Sequence, residues 1–119
     1  MAYTNIPVVV PSAAGVSMTP TAVDDSNGNK IANDGHVLLA IENTSETDSA
    51  VVTIESTKTV GGLAVADQAI TLALGTAKLA GPFPPEIYNQ PAGGTDAGYL
   101  HITFSGAGAA DVTIIPVQA

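Results

Sequence analysis

Apolar side chains recur at every second position in several short runs, separated by clusters of Gly, Pro, Asn, Asp and Ser. That period belongs to strands that bury one face. In His36–Asn43, Val37, Leu39 and Ile41 share one face while Leu38 and Ala40 share the other. A run apolar on both faces predicts a central strand. Ala50–Glu55 alternates cleanly, with Val52 and Ile54 on one side, and reads as its hairpin partner across the polar stretch Thr44–Ser49. Tyr99–Phe104 points Leu100, Ile102 and Phe104 inward, and Ala110–Val117 closes the chain with Val112 and Ile114 on one face. Leu63–Leu74 fits two templates. Leu63, Ala66, Ile70 and Leu74 would align on a helix, whereas Ile70, Leu72 and Leu74 would line a strand. A loop followed by a strand at Ala69–Leu74 is preferred, because Gly75-Thr76 turns straight into a short strand at Ala77–Ala80. Gly81-Pro82-Phe83-Pro84-Pro85 excludes regular helix and central strand alike.

The first third is less regular. Pro7 and Pro11 restrict helix, so Ile6–Val10 is expected as an extended arm or edge strand and Ser17–Val23 as a strand. Asn27-Gly28 predicts a type I′ hairpin turn, whose two central residues both need positive φ. Asn33-Asp34-Gly35 is a second turn, and Gly61-Gly62 a third. At 119 residues the chain suits one domain. The expected organisation is an extended N-terminal arm over residues 1–16 and one domain over 17–119. The fold class is all-β, an antiparallel β-sandwich or jelly roll of about seven to eight short strands.

Composition narrows the function. With two Phe and no Trp the core is thin, which hints at stability gained from partners. A net charge of −8 with only three basic residues argues against nucleic acid and anionic membrane, since Lys and Arg supply phosphate binding. No cysteine is present, which removes disulfides, thiolate metal sites and thiol nucleophiles. Met1–Pro11 lacks the basic start of a secretory signal, and no apolar run approaches the roughly eighteen residues that span a bilayer. Synthesis in a cytoplasm is expected.

Catalytic material is sparse. His36 and His101 both fall at predicted strands, with no motif supplying a partner at hydrogen-bond reach. Zinc signatures, a nucleophile elbow and a phosphate loop are missing from the sequence. No enzyme, no catalytic residue and no cofactor are therefore expected. The best cation candidate is Asp25-x-Asn27-x-Asn29, since calcium loops place oxygen ligands at alternate positions. Lys30 stands where such a loop needs Gly, and the bidentate Glu is missing, so no metal site is expected. Asn43-Thr44-Ser45 matches a glycosylation sequon and reads as a strand-end turn.

Four pieces carry a resemblance. Asp34-Gly35-His36-Val37-Leu38-Leu39-Ala40-Ile41-Glu42-Asn43 is followed by Val51-Val52-Thr53-Ile54. Later come Gly81-Pro82-Phe83-Pro84-Pro85-Glu86-Ile87-Tyr88-Asn89-Gln90 and the strand Gly98–Ser105. Over residues 31–117 this order of turns and strands resembles small virion proteins of tailed bacteriophages, of the head decoration or cement type. The resemblance implies a structural protein on the capsid exterior, bound to the major capsid protein; a homo-oligomer, trimer or dimer, and a monomer are all compatible with that role. It carries no catalytic residues. Two candidate contact segments follow from such a role: Ala2–Pro11, with Tyr3, Ile6, Pro7, Val8, Val9 and Val10, and the Pro82–Asn89 turn, with Phe83 and Tyr88. A neck, tail or fibre-associated β domain of a phage is the second reading. A carbohydrate-binding or adhesin module is the third, disfavoured by the shortage of aromatic rings for sugar stacking.

Overall fold

In the computed structural model, residues 3–118 are described, and eleven strands and two short helical turns are found among them. The strands are β1 (Thr4–Asn5), β2 (Thr21–Ala22), β3 (Asn29–Ala32), β4 (Val37–Asn43), β5 (Ala50–Ile54), β6 (Thr59–Val60), β7 (Leu63–Ala64), β8 (Gln68–Leu72), β9 (Ala77–Ala80), β10 (Tyr99–Ser105) and β11 (Val112–Gln118). One sheet runs β1-β3-β10-β5-β8 and is called the first sheet below; the second runs β2-β11-β4-β9. Every pairing within them is antiparallel except β1 with β3. The chain is an all-β sandwich.

The alternation read from the sequence is the alternation that builds the core. Val37, Leu39 and Ile41 of β4 and Val112 and Ile114 of β11 face Ile31, Val52, Ile54, Leu72, Leu100 and Ile102 from the first sheet, all at 0–1% exposure. Each such side chain contributes about 1.5–3 kcal/mol by leaving water. β4 is central, between β11 and β9, and β9 has the predicted bounds. Phe104 is only half-buried at the end of β10. The ambiguous stretch resolves as the short strand β7 followed by β8, and Leu74 lies beyond β8, half exposed. Gly61 and Gly62, at φ 61° and 83°, form the two-residue link of the β6–β7 hairpin, where the registered pair is Val60 with Leu63.

Several expectations need correction. β4 and β5 are not a hairpin. Both edges of β4 are occupied by β11 and β9, so residues 44–49 carry the chain across to the other sheet, where β5 pairs with β10 and β8. Period-two patterning shows which face a strand buries, and it is silent on the neighbour at its edge. Asn27-Gly28 is not a type I′ hairpin either. Only Gly28 has positive φ, and the amides of Asn27 and Gly28 both bond back to Asp24, closing a wider turn between strands of different sheets. The predicted strand Ser17–Val23 shrinks to Thr21–Ala22, since residues 10–20 are exposed apart from any ladder. A single helical turn, Pro85–Tyr88, begins at the last proline of the Pro-rich stretch, where a missing amide is harmless.

The N-terminal segment packs as a strap along one side of the sandwich. Thr4–Asn5 adds in parallel to β3, and Val9 bridges to Val117 of β11, so a few residues tie the two sheets together. Ile6 lies between them at 1% exposure. Pro116, inside β11, is compatible with this bridge, which uses the Pro116 carbonyl and the Gln118 amide and requires no amide at 116.

Candidate interaction surface

The two outer faces of the sandwich differ in chemistry. The first sheet presents Lys30 from β3, Tyr99, His101 and Thr103 from β10, and Thr53 and Thr71 from β5 and β8. Register sets His101 opposite Lys30, and the loop before β10 brings in Asp96. Lys30 Nζ lies 2.9 Å from Asp96 Oδ1, and His101 Nε2 lies 2.7 Å from Asp96 Oδ2. Glu55, just past β5, approaches His101 Nδ1 at 3.7 Å and accepts a hydrogen bond from the Tyr3 hydroxyl at 3.2 Å. The Tyr3 ring stacks on the imidazole, with centroids 3.8 Å apart and planes 7° from parallel. It also lies over Gly28, where a Cβ would come within 2.8 Å of both the Tyr3 ring and the Ile102 carbonyl. Gly28 is therefore required twice, for its φ of 80° and for the room that Tyr3 occupies.

This cluster is an anchor for the strap. The imidazole is closed on one face by Tyr3, bonded at Nε2 to Asp96 and approached at Nδ1 by Glu55, leaving its side chain 13% exposed. The Asp96 carboxyl is held below the ordinary carboxylate range, first by its bond from Lys30 and then by that from His101. Lys30 is raised, mainly by the same bond. Tyr3 is raised, first by burial and then by the charge of Glu55. A depressed carboxyl contributes stability that is present above its unfolded value and lost as pH falls through its folded one. A raised Lys or Tyr contributes stability that is present below its unfolded value and lost as pH rises through its folded one. The anchor should therefore hold from below the usual carboxylate range to above about pH 10, the ordinary Tyr range. Thermal melts against pH should show a shallower acid limb in Asp96→Asn than in the parent chain. Identical acid limbs would show that the Asp96 pairings contribute nothing.

The second sheet presents a different outer face. Leu38 and Ala40 from β4, Ile115 and Val117 from β11, and Ala77 and Leu79 from β9 lie side by side, in the registers Leu38 with Val117 and Ala40 with both Ile115 and Leu79. Leu79 is 68% exposed and Ala77 is exposed too, while Leu38, Ala40, Ile115 and Val117 are half-buried. A shallow groove of about 340 Å³ runs across the patch, between Pro20, Leu79 and Ile115, with Glu42 and Lys78 as the charged groups on its lining. In a chain carrying eleven acidic residues, that makes the face nearly uncharged. A contiguous apolar patch of this kind is a candidate interaction surface.

The chain matches no family model, no curated protein and no solved structure.

The contact residues expected from the sequence are dispersed by the fold. Ile6 and Phe83 are corrected from contacts to core: they are 1% and 4% exposed, because the strap and the Pro-rich turn both close the sandwich from the side. Tyr3 is held in the His101 stack. Val8 and Val9 are half-buried, and Pro7 and Val10 remain exposed. Tyr88 packs edge-on to Phe83 at 5.6 Å and lines a side groove with Leu79 and Pro82. Ala2 lies outside the described residues. Asn29 of the cation candidate directs its side chain to the Asp24 amide and the Thr4 carbonyl, and the Asp24 carboxyl takes the Thr4 hydroxyl and the Asn27 amides. These oxygens serve a turn. Asn43 of the sequon is fully buried. The apolar outer face had a signal in the sequence, the outward Leu38 and Ala40 of a two-sided apolar strand. The Tyr3–His101 stack had none.

Proposed function

We propose that this protein is a structural component of a phage virion that coats the outside of the capsid, docking through the apolar outer face of its second sheet. That face is the observation that carries the reading: a solvent-facing row of Leu38, Ala40, Leu79, Ile115 and Val117 on a domain whose opposite face is polar. The partner is the major capsid protein, as implied by the resemblance over residues 31–117. Connectivity supports the same reading. Of β2, β3, β4, β5, β8, β9, β10 and β11, consecutive strands change sheets at every step except β5 to β8. We read the orders β2-β11-β4-β9 and β3-β10-β5-β8 as those of a jelly roll, an architecture that recurs in viral coats. Analogy of fold alone would not carry function. The charge of −8 keeps the free chain soluble until it reaches a lattice.

Co-sedimentation with emptied phage heads tests this. Leu79→Asp leaves the core untouched and places a charge on a 68% exposed side chain of the patch, so it should weaken head binding at least about tenfold, the effect of ~1.4 kcal/mol. Thr71→Asp, exposed on the other face, should bind as the parent does. Equal binding by Leu79→Asp would refute the assigned face. Sedimentation with tails and not heads would refute the capsid assignment and favour a neck or tail component.

A further inference from the structure

We infer that the N-terminal strap is exchangeable, so that residues 3–9 of one chain seat in the strap groove of a second copy. This inference stands apart from the capsid reading. The strap makes its contacts with the body of the domain through a closed set of groups. Thr4 N donates to Gly28 O, Ile6 N to Lys30 O and Val9 N to Pro116 O, and Gln118 N donates to Val9 O. Tyr3 adds its stack on His101, and Ile6 fills the gap between the sheets. Every one of these partners lies beyond residue 23, so a second copy offers an identical groove to the same strap.

The segment that joins strap to body is built unlike the rest of the chain. Its hydrogen bonds are confined to the local turn between Ser12 and Gly15. Residues 10–20 are exposed throughout. They are also far longer than their path requires. The strap ends on Val117 and β2 begins opposite Ile114, two positions on the same strand about 10 Å apart. Eleven residues, Val10–Pro20, can reach roughly 36 Å. The whole molecule measures 42 × 38 × 23 Å, so that reach extends to the groove of an abutting copy. The linker also holds Val10, Val16 and Met18 at 65%, 45% and 55% exposure. On this exposed loop these apolar side chains are left uncovered. When two chains trade straps, their linkers run side by side between the copies and can cover these groups.

Since the seated contacts are the same in both arrangements, the balance depends on concentration. A strap on a short flexible linker sees its own groove at an effective concentration of about a millimolar. Dilute chains are therefore closed on themselves, and crowded copies trade straps.

The absence of native cysteine permits a direct test. Val9 and Val117 are a registered pair, so cysteine substituted at both positions places two thiols side by side. The V9C/V117C chain, refolded at ~10 µM and oxidised, should close within one chain, with about one strap in a hundred exchanged. V9C chains mixed with mass-tagged V117C chains and refolded together at about 1 mM should give V9C–V117C disulfides between chains for a large fraction of straps. Peptide mass identifies that mixed bond and separates it from dimers of V9C with itself. If the double variant closes and the mixture forms no mixed disulfide at any concentration, exchange is wrong. If the double variant fails to close, the strap does not seat on β11 and the inference falls with it.

Discussion

Ile6→Ala should destabilise the protein by about 2–5 kcal/mol, a large share of the roughly 5–15 kcal/mol that holds a domain of ordinary size together. Ile6 is the side chain by which the strap enters the core, at 1% exposure and in contact with the buried cluster of both sheets. Truncation removes that burial and leaves a cavity that rigid strands on both sides cannot collapse to fill. The loss has a second reporter. Tyr3 sits three residues away on the same strap, with its phenol raised by burial and by Glu55. A freed strap would return that phenol to the ordinary Tyr range. Urea unfolding reads the first effect, and an ultraviolet titration of tyrosine in the native variant, without urea, reads the second. A change in unfolding free energy under about 1 kcal/mol would mean that Ile6 is not the wedge described.

Asn43→Ala is expected to cost about 2–4 kcal/mol. Asn43 is fully buried at the end of β4, and its side chain organises the crossing from one sheet to the other. Its amide nitrogen donates to Asp48 O at 2.9 Å and to Leu72 O at 3.3 Å, and its oxygen accepts from the Ser45 amide at 3.0 Å. Alanine leaves those main-chain groups without their partner, and each unsatisfied buried group costs roughly 1–3 kcal/mol. The Ser45 hydroxyl, which caps the amides of Thr47 and Asp48, would lose its footing next. Leucine should rescue nothing, since it restores volume and no hydrogen bond. Denaturant melts of Asn43→Ala and Asn43→Leu decide the matter. A loss below about 0.5 kcal/mol in the alanine variant would show that the crossing holds itself.

These two residues also mark where a local reading stops. Asn43 is readable as a strand-end polar residue with local bonds to residues 45 and 48, yet its third bond reaches Leu72, on a strand of the other sheet. Ile6 reads equally well as part of an apolar contact arm or as core, because Ile6, Val8 and Val10 alternate whether the partner is foreign or the chain's own body. Tyr3 and His101 lie almost a hundred positions apart, and no spacing rule links them. Gly28, by contrast, was marked as a turn glycine from its neighbours alone, while the type of turn was not. That depended on Asp24 accepting from both following amides.

What the amino-acid order determined by itself was most of the longer strands and which of their side chains share a face; the short strands β1, β3, β6 and β7 were not among them. Alternation is a property of the extended chain, since successive side chains point to opposite sides whatever lies next to them. Thus Leu39 could be grouped with Ile41, Val52 with Ile54 and Val112 with Ile114 on shared faces, and Leu100 and Ile102 assigned inward, before any partner was known. Which strands become neighbours was decided only in three dimensions. A ladder of main-chain bonds is nearly indifferent to side-chain identity, so the choice between β5 and β9 as neighbours of β4 rests on how all the inward faces can be buried at once. The same global packing seats the strap and leaves Leu79 and Ile115 facing water.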